Sequence, residues 1–146
     1  LMSVLLVMDA KLTFYKHGEV SLKDFLEDRS IKQDILQSVT VSRNKCKGFF
    51  KKVATTSLDF SMVNVAITNS ESIKIAVGSL PGIKKKKKKS MAYINQQNKV
   101  DDNEIQEAVR IAVKELGLGK NIRASKAYRE TLVETYLIRG LRQVIL

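Results

Sequence analysis

Between Phe49 and Val77 apolar residues recur at every second position, and from Ile105 onward they recur at every third and fourth. That switch of period constrains the fold more than any other feature of the chain. Ser61, Val63, Val65 and Ile67 alternate with Met62, Asn64 and Ala66, and Ile73, Ile75 and Val77 form one clean apolar face. Side chains of a strand point to opposite sides of its sheet in turn, so each run reads as a strand with one buried face. A further strand over 49–55 precedes them. Asn69-Ser70-Glu71-Ser72 supplies the turn between the last two, since short polar side chains can bond the turn backbone. The result is an antiparallel meander, and three strands with one apolar face need a cover.

The second half of the chain supplies it. Ile105, Ala108, Val109, Ala112, Val113 and Leu116 follow helical spacing, and Gly117 or Gly119 can end that helix in the left-handed conformation. Ser125 is an N-cap for a second helix carrying Tyr128, Leu132, Val133, Tyr136, Leu137 and Leu141 on one side. A third helix is expected over 90–98. Strands followed by helices, not alternating with them, predict an α+β fold: an antiparallel three- to four-stranded sheet covered on one face by about three helices.

The opening is different in kind. Residues 1–8 are a near-continuous apolar run broken by Ser3, too short to span a bilayer, and Leu12 and Phe14 then alternate with polar neighbours as in a strand. His17-Gly18 reverses the chain. Residues 21–26 read as a helical turn capped by Ser21 with Asp24 at the capping-box position, and Val39 and Val41 resume the period of two.

No constellation in the chain runs a reaction by itself. One cysteine, Cys46, excludes an internal disulfide and a four-cysteine metal site, and His17 is the only histidine, read as a solvated loop residue. A Gly-x-Ser-x-Gly elbow is missing. Leu116-Gly117-Leu118-Gly119-Lys120 superficially resembles a phosphate loop, but it follows a helix rather than a strand, so it reads as a helix end. Asp101, Asp102 and Glu104 favour the positive end of the following helix. The formal net charge is +11, yet six of the 26 Lys and Arg residues form one block, Lys84 to Lys89, with only Tyr93 nearby. Such a run repels itself and stays solvated, and the aromatic–basic alternation of single-strand binders is missing, so a nucleic-acid partner is not expected. Without a signal peptide or spanning segment, a soluble cytoplasmic location is the default.

The order of motifs is nevertheless specific. Val4-Leu5-Leu6-Val7-Met8-Asp9-Ala10-Lys11-Leu12 resembles the last strands of the flavin-binding domain in the FAD-carrying (medium) subunit of molybdenum hydroxylases, the xanthine dehydrogenase and carbon monoxide dehydrogenase flavoprotein family. Gly18-Glu19-Val20-Ser21-Leu22-Lys23-Asp24-Phe25-Leu26 and Asp34-Ile35-Leu36-Gln37-Ser38-Val39-Thr40-Val41 resemble the segments that close that domain. Phe50-Lys51-Lys52-Val53-Ala54 with Asp59-Phe60-Ser61-Met62-Val63-Asn64-Val65-Ala66 is similar to the opening of the family's C-terminal domain. Ile75-Ala76-Val77-Gly78-Ser79-Leu80-Pro81-Gly82 is similar to its third strand, and Ile122-Arg123-Ala124-Ser125-Lys126-Ala127-Tyr128-Arg129 to its last helix.

This resemblance implies a fold like the C-terminal domain of the CO dehydrogenase flavoprotein over 42–146, preceded by a C-terminal remnant of the FAD-binding domain over 1–41. A start at Leu1 rather than methionine then favours a piece cut from a longer chain. The implied role is to scaffold FAD and relay electrons from iron–sulfur clusters to NAD or another acceptor, beside a molybdenum-cofactor subunit and an iron–sulfur subunit. The family's flavin contacts in this region fall on Leu36, an apolar residue before the closing strand, and on Lys52 or, with a one-residue shift, Lys51. A leucine there packs on the flavin ring, and a cation stabilises reduced flavin. The glycine-rich pyrophosphate loops belong to lobes that precede this region in the family, so FAD binding by the chain alone is expected to be weak or absent. No catalytic or metal-binding residue is implied. Arg123, Tyr128 and Arg129 read as structural, fixing the last helix against a neighbouring lobe. Two departures stand out: Thr55-Thr56 where relatives often carry arginines, and the lysine block before the helices. The alternative reading is a small basic interaction module for nucleic acid or an acidic protein.

Overall fold

The computed structural model describes residues 1–28, 30–43, 45–79, 89–97 and 100–146. The meander forms as the alternation requires, with β4 (Lys47–Val53), β5 (Val63–Asn69) and β6 (Ile73–Gly78) antiparallel in the order β4-β5-β6. Lys47 pairs with Asn69 and Val53 with Val63, and Asn64 pairs with Gly78 and Asn69 with Ile73. Val63, Val65 and Ile67 have no exposed surface because three helices cover their face of the sheet. These are α3 (Lys89–Asn95), α4 (Asp102–Leu116) and α5 (Lys126–Ile145).

Each long helix starts and stops where its sequence says. Asp101 accepts hydrogen bonds from the main-chain N–H groups of Asn103 and Glu104 while the Glu104 side chain accepts from the N–H of Asp101, a complete capping box. Gly117, at φ 53°, closes α4 in the left-handed conformation. The Ser125 hydroxyl accepts from the N–H of Tyr128 and opens α5. The helix expected over 90–98 forms over Lys89–Asn95, and Asn98 lies outside the described residues, as do Leu80 to Lys88. Gly140 sets how near α5 can come to the sheet. A β-carbon there would stand 2.5 Å from Cδ1 of Phe49 and 2.7 Å from Cδ1 of Ile67.

The expected cover of three helices lies on one face of the meander, and its opposite face carries a further helix from the opening segment. The apolar run at the start is a helix, α1 (Met2–Val7), rather than a strand. A continuous apolar run carries no period that separates strand from buried helix, and here burial on two sides decides. Val4, Leu6 and Val7 pack on Ala66 and Ala76, while Leu5 and Leu6 also reach a second small core. The Thr68 hydroxyl donates to the carbonyl of Val7 at 2.9 Å. α1 therefore lies on β5 and β6, and β4 runs beyond it.

The second core belongs to another three-stranded antiparallel sheet, β1 (Lys11–Phe14), β2 (Gly18–Ser21) and β3 (Leu36–Thr40), in the order β2-β1-β3. Leu12, Phe14, Leu22 and Ile31 fill it, with the Phe14 and Phe25 rings stacked at 5.2 Å beneath the short helix α2 (Leu22–Glu27). Ser21 caps α2 as its sequence requires. His17 is the exposed turn residue expected from sequence, and it is also bonded. Its ring nitrogen Nδ1 lies 2.7 Å from Oδ2 of Asp34, which also accepts from the N–H groups of Lys16 and His17. Burial pushes the Asp34 carboxyl up, but the His17 ring and the N–H groups of Lys16, Ile35 and His17 outweigh it and hold the group at about 2. β3 is exposed along its whole length.

Candidate functional site

Adjacent residues on β4 face opposite ways, and this sorts the two candidate lysines. Phe49 and Lys51 face the helices: Phe49 packs into the main core, and the Lys51 ammonium lies 5.7 Å from the ring centre of Tyr136 on α5. Phe50 and Lys52 face the side of α1, paired across the ladder with Ala66 and Asn64. Because α1 does not extend over β4, a cleft of about 370 Å³ opens there, lined by Leu1, Phe50, Lys52, Leu58, Asp59, Phe60, Ser61 and Asn64. Phe50 is 48% exposed and Phe60 76% exposed, far above what aromatic rings usually show in a folded chain. The Lys52 ammonium donates to the carbonyl of Ser57 at 3.0 Å and stands at the rim.

A polar network forms the floor of this cleft. The Asn64 amide donates to the hydroxyls of Ser61 (3.1 Å) and Ser79 (2.9 Å), and its oxygen accepts from Ser3 on α1. Ser61 and Ser79 are also bonded to each other. Ser79 adopts φ 64°, a left-handed backbone that non-glycine residues seldom take, and these bonds hold it there. Behind the floor lies Arg129, with 0% of its surface exposed. Its guanidinium donates to the carbonyls of Met62 and Ser79 and to the side-chain oxygen of Asn121, while its Nε has no partner among the described residues. Burial, and then the neighbouring cation Arg123, hold its pKa below the usual guanidinium value. Arg123 itself lies 5.2 Å from the Phe60 ring centre.

Of the three site residues expected from sequence, one lies in the cleft. Lys52 does; Lys51 is on the opposite face of the same strand; Leu36 starts β3 in the other sheet, 48% exposed, and is not among the cleft's lining residues. Phe50, Phe60, Asn64 and the floor serines were not singled out from sequence. Phe50 was legible in principle, since it shares the parity of Lys52, whereas Phe60 and Ser79 arrive through loops with no period to read. Arg129, expected to fix the last helix against a neighbouring lobe, fixes α5 to the end of the meander where β5 begins and β6 closes.

In chemical terms the cleft offers two exposed rings, a rim cation, the carboxylate of Asp59 and neutral hydrogen-bonding groups. Among its described residues no acid and base are hydrogen-bonded to each other, and the Asp59 carboxylate accepts from the N–H of Phe60. Such a lining fits the edge of a flat, electron-rich ring, and nothing in it resembles a cradle for a pyrophosphate.

Residues 48–144, from β4 to the end of α5, match the family of the CO dehydrogenase flavoprotein C-terminal domain. The chain belongs to this family. Solved structures extend the likeness to the opening sheet. Quinoline 2-oxidoreductase from Pseudomonas putida 86 superposes with a TM-score of 0.77 at 17% identity, over 99% of this chain and 55% of that one. Carbon monoxide dehydrogenase from Hydrogenophaga pseudoflava, in a form lacking the Mo-pyranopterin moiety, gives 0.79 at 11% identity over 98% of this chain and 55% of the other. The reconstituted enzyme of Oligotropha carboxidovorans gives 0.78 at 14% identity over the same shares. The chain thus spans about half the length of the solved chains it matches. No curated protein sequence matches it. Among the described residues no helix is long and apolar enough to cross a membrane.

Proposed function

We propose that the chain is the C-terminal portion of the FAD subunit of a cytoplasmic, xanthine dehydrogenase-type molybdenum hydroxylase. Residues 1–41 are then the last part of the flavin-binding domain, and 42–146 the C-terminal domain. The observation that supports this reading best is the coincidence of the family match over 48–144 with a cleft that exposes Phe50 and Lys52 on that same first strand. FAD, when bound, supplies one- and two-electron transfer, linking iron–sulfur clusters to NAD or another acceptor. This chain's own contribution is a wall. Phe50 and Phe60 exclude water from one edge of the ring, Lys52 lies where negative charge appears on reduction, and Leu36 on the exposed strand β3 packs on the ring from the other sheet. Lys52 is favoured over Lys51 because only Lys52 lines the cleft.

The molybdenum-cofactor and iron–sulfur subunits are the partners in this reading. Since no pyrophosphate loop is present, flavin affinity comes mainly from other lobes. Titration of the chain with FAD, followed by flavin fluorescence, tests this division of labour. Weak or unsaturable binding is the expected result; tight, stoichiometric binding contradicts it.

A further inference from the structure

β4 is an edge strand. It pairs with β5 on one side, and among the described residues no strand pairs with its other side. Five of its seven residues are exposed, Lys47, Gly48, Phe50, Lys51 and Lys52, so a row of backbone N–H and C=O groups faces solvent. On the helix side this edge is strongly cationic. Lys47 and Lys51 share that face, Arg139 of α5 lies 5.6 Å from the Tyr136 ring centre beside Lys51, and Arg43 and Lys45 lead into the strand. Among the described residues none of these five carries an ion pair, although six other pairs form. On the other side the edge shows a half-exposed ring, Phe50.

We propose that the outer edge of β4 accepts an extended, acidic segment of a partner protein as a fourth strand of the meander. Strand addition satisfies the open backbone groups, and the side chains of an added strand alternate between faces. Those on the helix face meet Lys47, Lys51 and Arg139, and those on the other face meet Phe50. The fitting segment therefore alternates acidic with apolar residues. Lysines on an edge oppose pairing with a like strand, so a second copy of β4 is disfavoured by the same charges that attract an acidic one. Single-stranded nucleic acid fits less well. Tyr136, the aromatic ring on this face, is already flanked by Lys51 and Arg139 and offers no free platform for a base. The inference shares Phe50 with the flavin reading, since that ring also lines the cleft, but its charge recognition rests on Lys47, Lys51 and Arg139 on the opposite face of the strand.

The test is fluorescence anisotropy with a labelled seven-residue peptide alternating glutamate with valine and phenylalanine. Its controls are a peptide of the same length and glutamate content with proline at the alternate positions, an oligothymidylate, and the chain carrying Lys47→Glu with Arg139→Glu. The expected results are binding on the order of micromolar, loss of at least about tenfold in the charge-reversed variant, and no binding of the proline peptide, which cannot pair. Amide shifts in the chain's NMR spectrum on adding the glutamate peptide are expected to concentrate over 47–53. Failure to bind, equal binding of the proline peptide, tighter binding of the oligothymidylate, or shifts lying elsewhere would each overturn the proposal.

Discussion

Arg129→Met removes the guanidinium behind the cleft while keeping most of the stem's volume. In the wild type this group donates to the carbonyls of Met62, at the entry to β5, and Ser79, after β6, and to Asn121 in the loop before α5. Asn121 Oδ1 keeps two main-chain donors, Arg123 at 3.0 Å and Ala124 at 3.3 Å, so its loss is small. The Met62 carbonyl, in a buried bond, loses its donor at about 1–3 kcal/mol, and the carbonyl of Ser79, an exposed residue, loses less because water can replace the donor. Part of this is offset, because the wild type carries the desolvation of a cation whose Nε has no partner, and apolar replacements of buried charges recover some of that penalty. The net expectation is a loss of about 1–2 kcal/mol, or roughly 2–8 °C in Tm for a chain of this size. Urea and thermal denaturation followed by circular dichroism measure it. Arg129→Lys, with one nitrogen in place of a fork, should fall between the two. An unchanged or raised Tm in Arg129→Met would refute the clamp and make the buried cation a net burden.

Gly140→Ala gains helix propensity of up to about 1 kcal/mol, but its β-carbon meets Phe49 and Ile67 below 3 Å. Overpacking at about 1–3 kcal/mol should win, so denaturation is expected to show a net destabilisation, and a gain in Tm would contradict the packing. Asp101→Ala removes the capping box of α4 and should cost about 1 kcal/mol in the same assay. For Asp34 the folded pKa of about 2 lies below the ordinary 3.8, so its ionised form stabilises the fold above the unfolded value, and that contribution is lost as pH falls from about 4 through about 2. Asp34→Asn should therefore be less stable than wild type at neutral pH, with the gap closing across that acid window; a gap that stays constant down to pH 2 contradicts the hydrogen-bonded carboxylate.

The meander and the two long helices were legible because period and burial coincide in them. Val63, Val65 and Ile67 alternate with smaller or polar neighbours, and Asp101, Gly117 and Ser125 mark helix ends through their own backbone chemistry. α1 was not legible in the same way. Residues 1–8 are apolar almost throughout, and their helical state follows from lying between two cores, a fact of tertiary structure. For the same reason the cover on the second face of the sheet was missed. The cleft was half legible: alternation puts Lys51 and Lys52 on opposite faces, but which face is open depends on where α1 stops. Phe60, Ser79 and the depth of Arg129 are set by loops and long-range packing, for which a single sequence carries no periodic signal.

The most direct test of the central claim is the flavin midpoint potential of the FAD-loaded subunit, with Lys52→Met compared against Lys51→Met. Lys52 lines the cleft on β4 and Lys51 lies against Tyr136 on the other face, so the pair differs in position while sharing chemistry and chain neighbourhood. A cation beside reduced flavin stabilises it, so Lys52→Met should lower the potential by about 30 mV or more, the equivalent of a tenfold change for a two-electron couple, and Lys51→Met should leave it within a few millivolts (~5 mV) of wild type. Equal shifts in both variants, or a shift confined to Lys51→Met, would contradict the account.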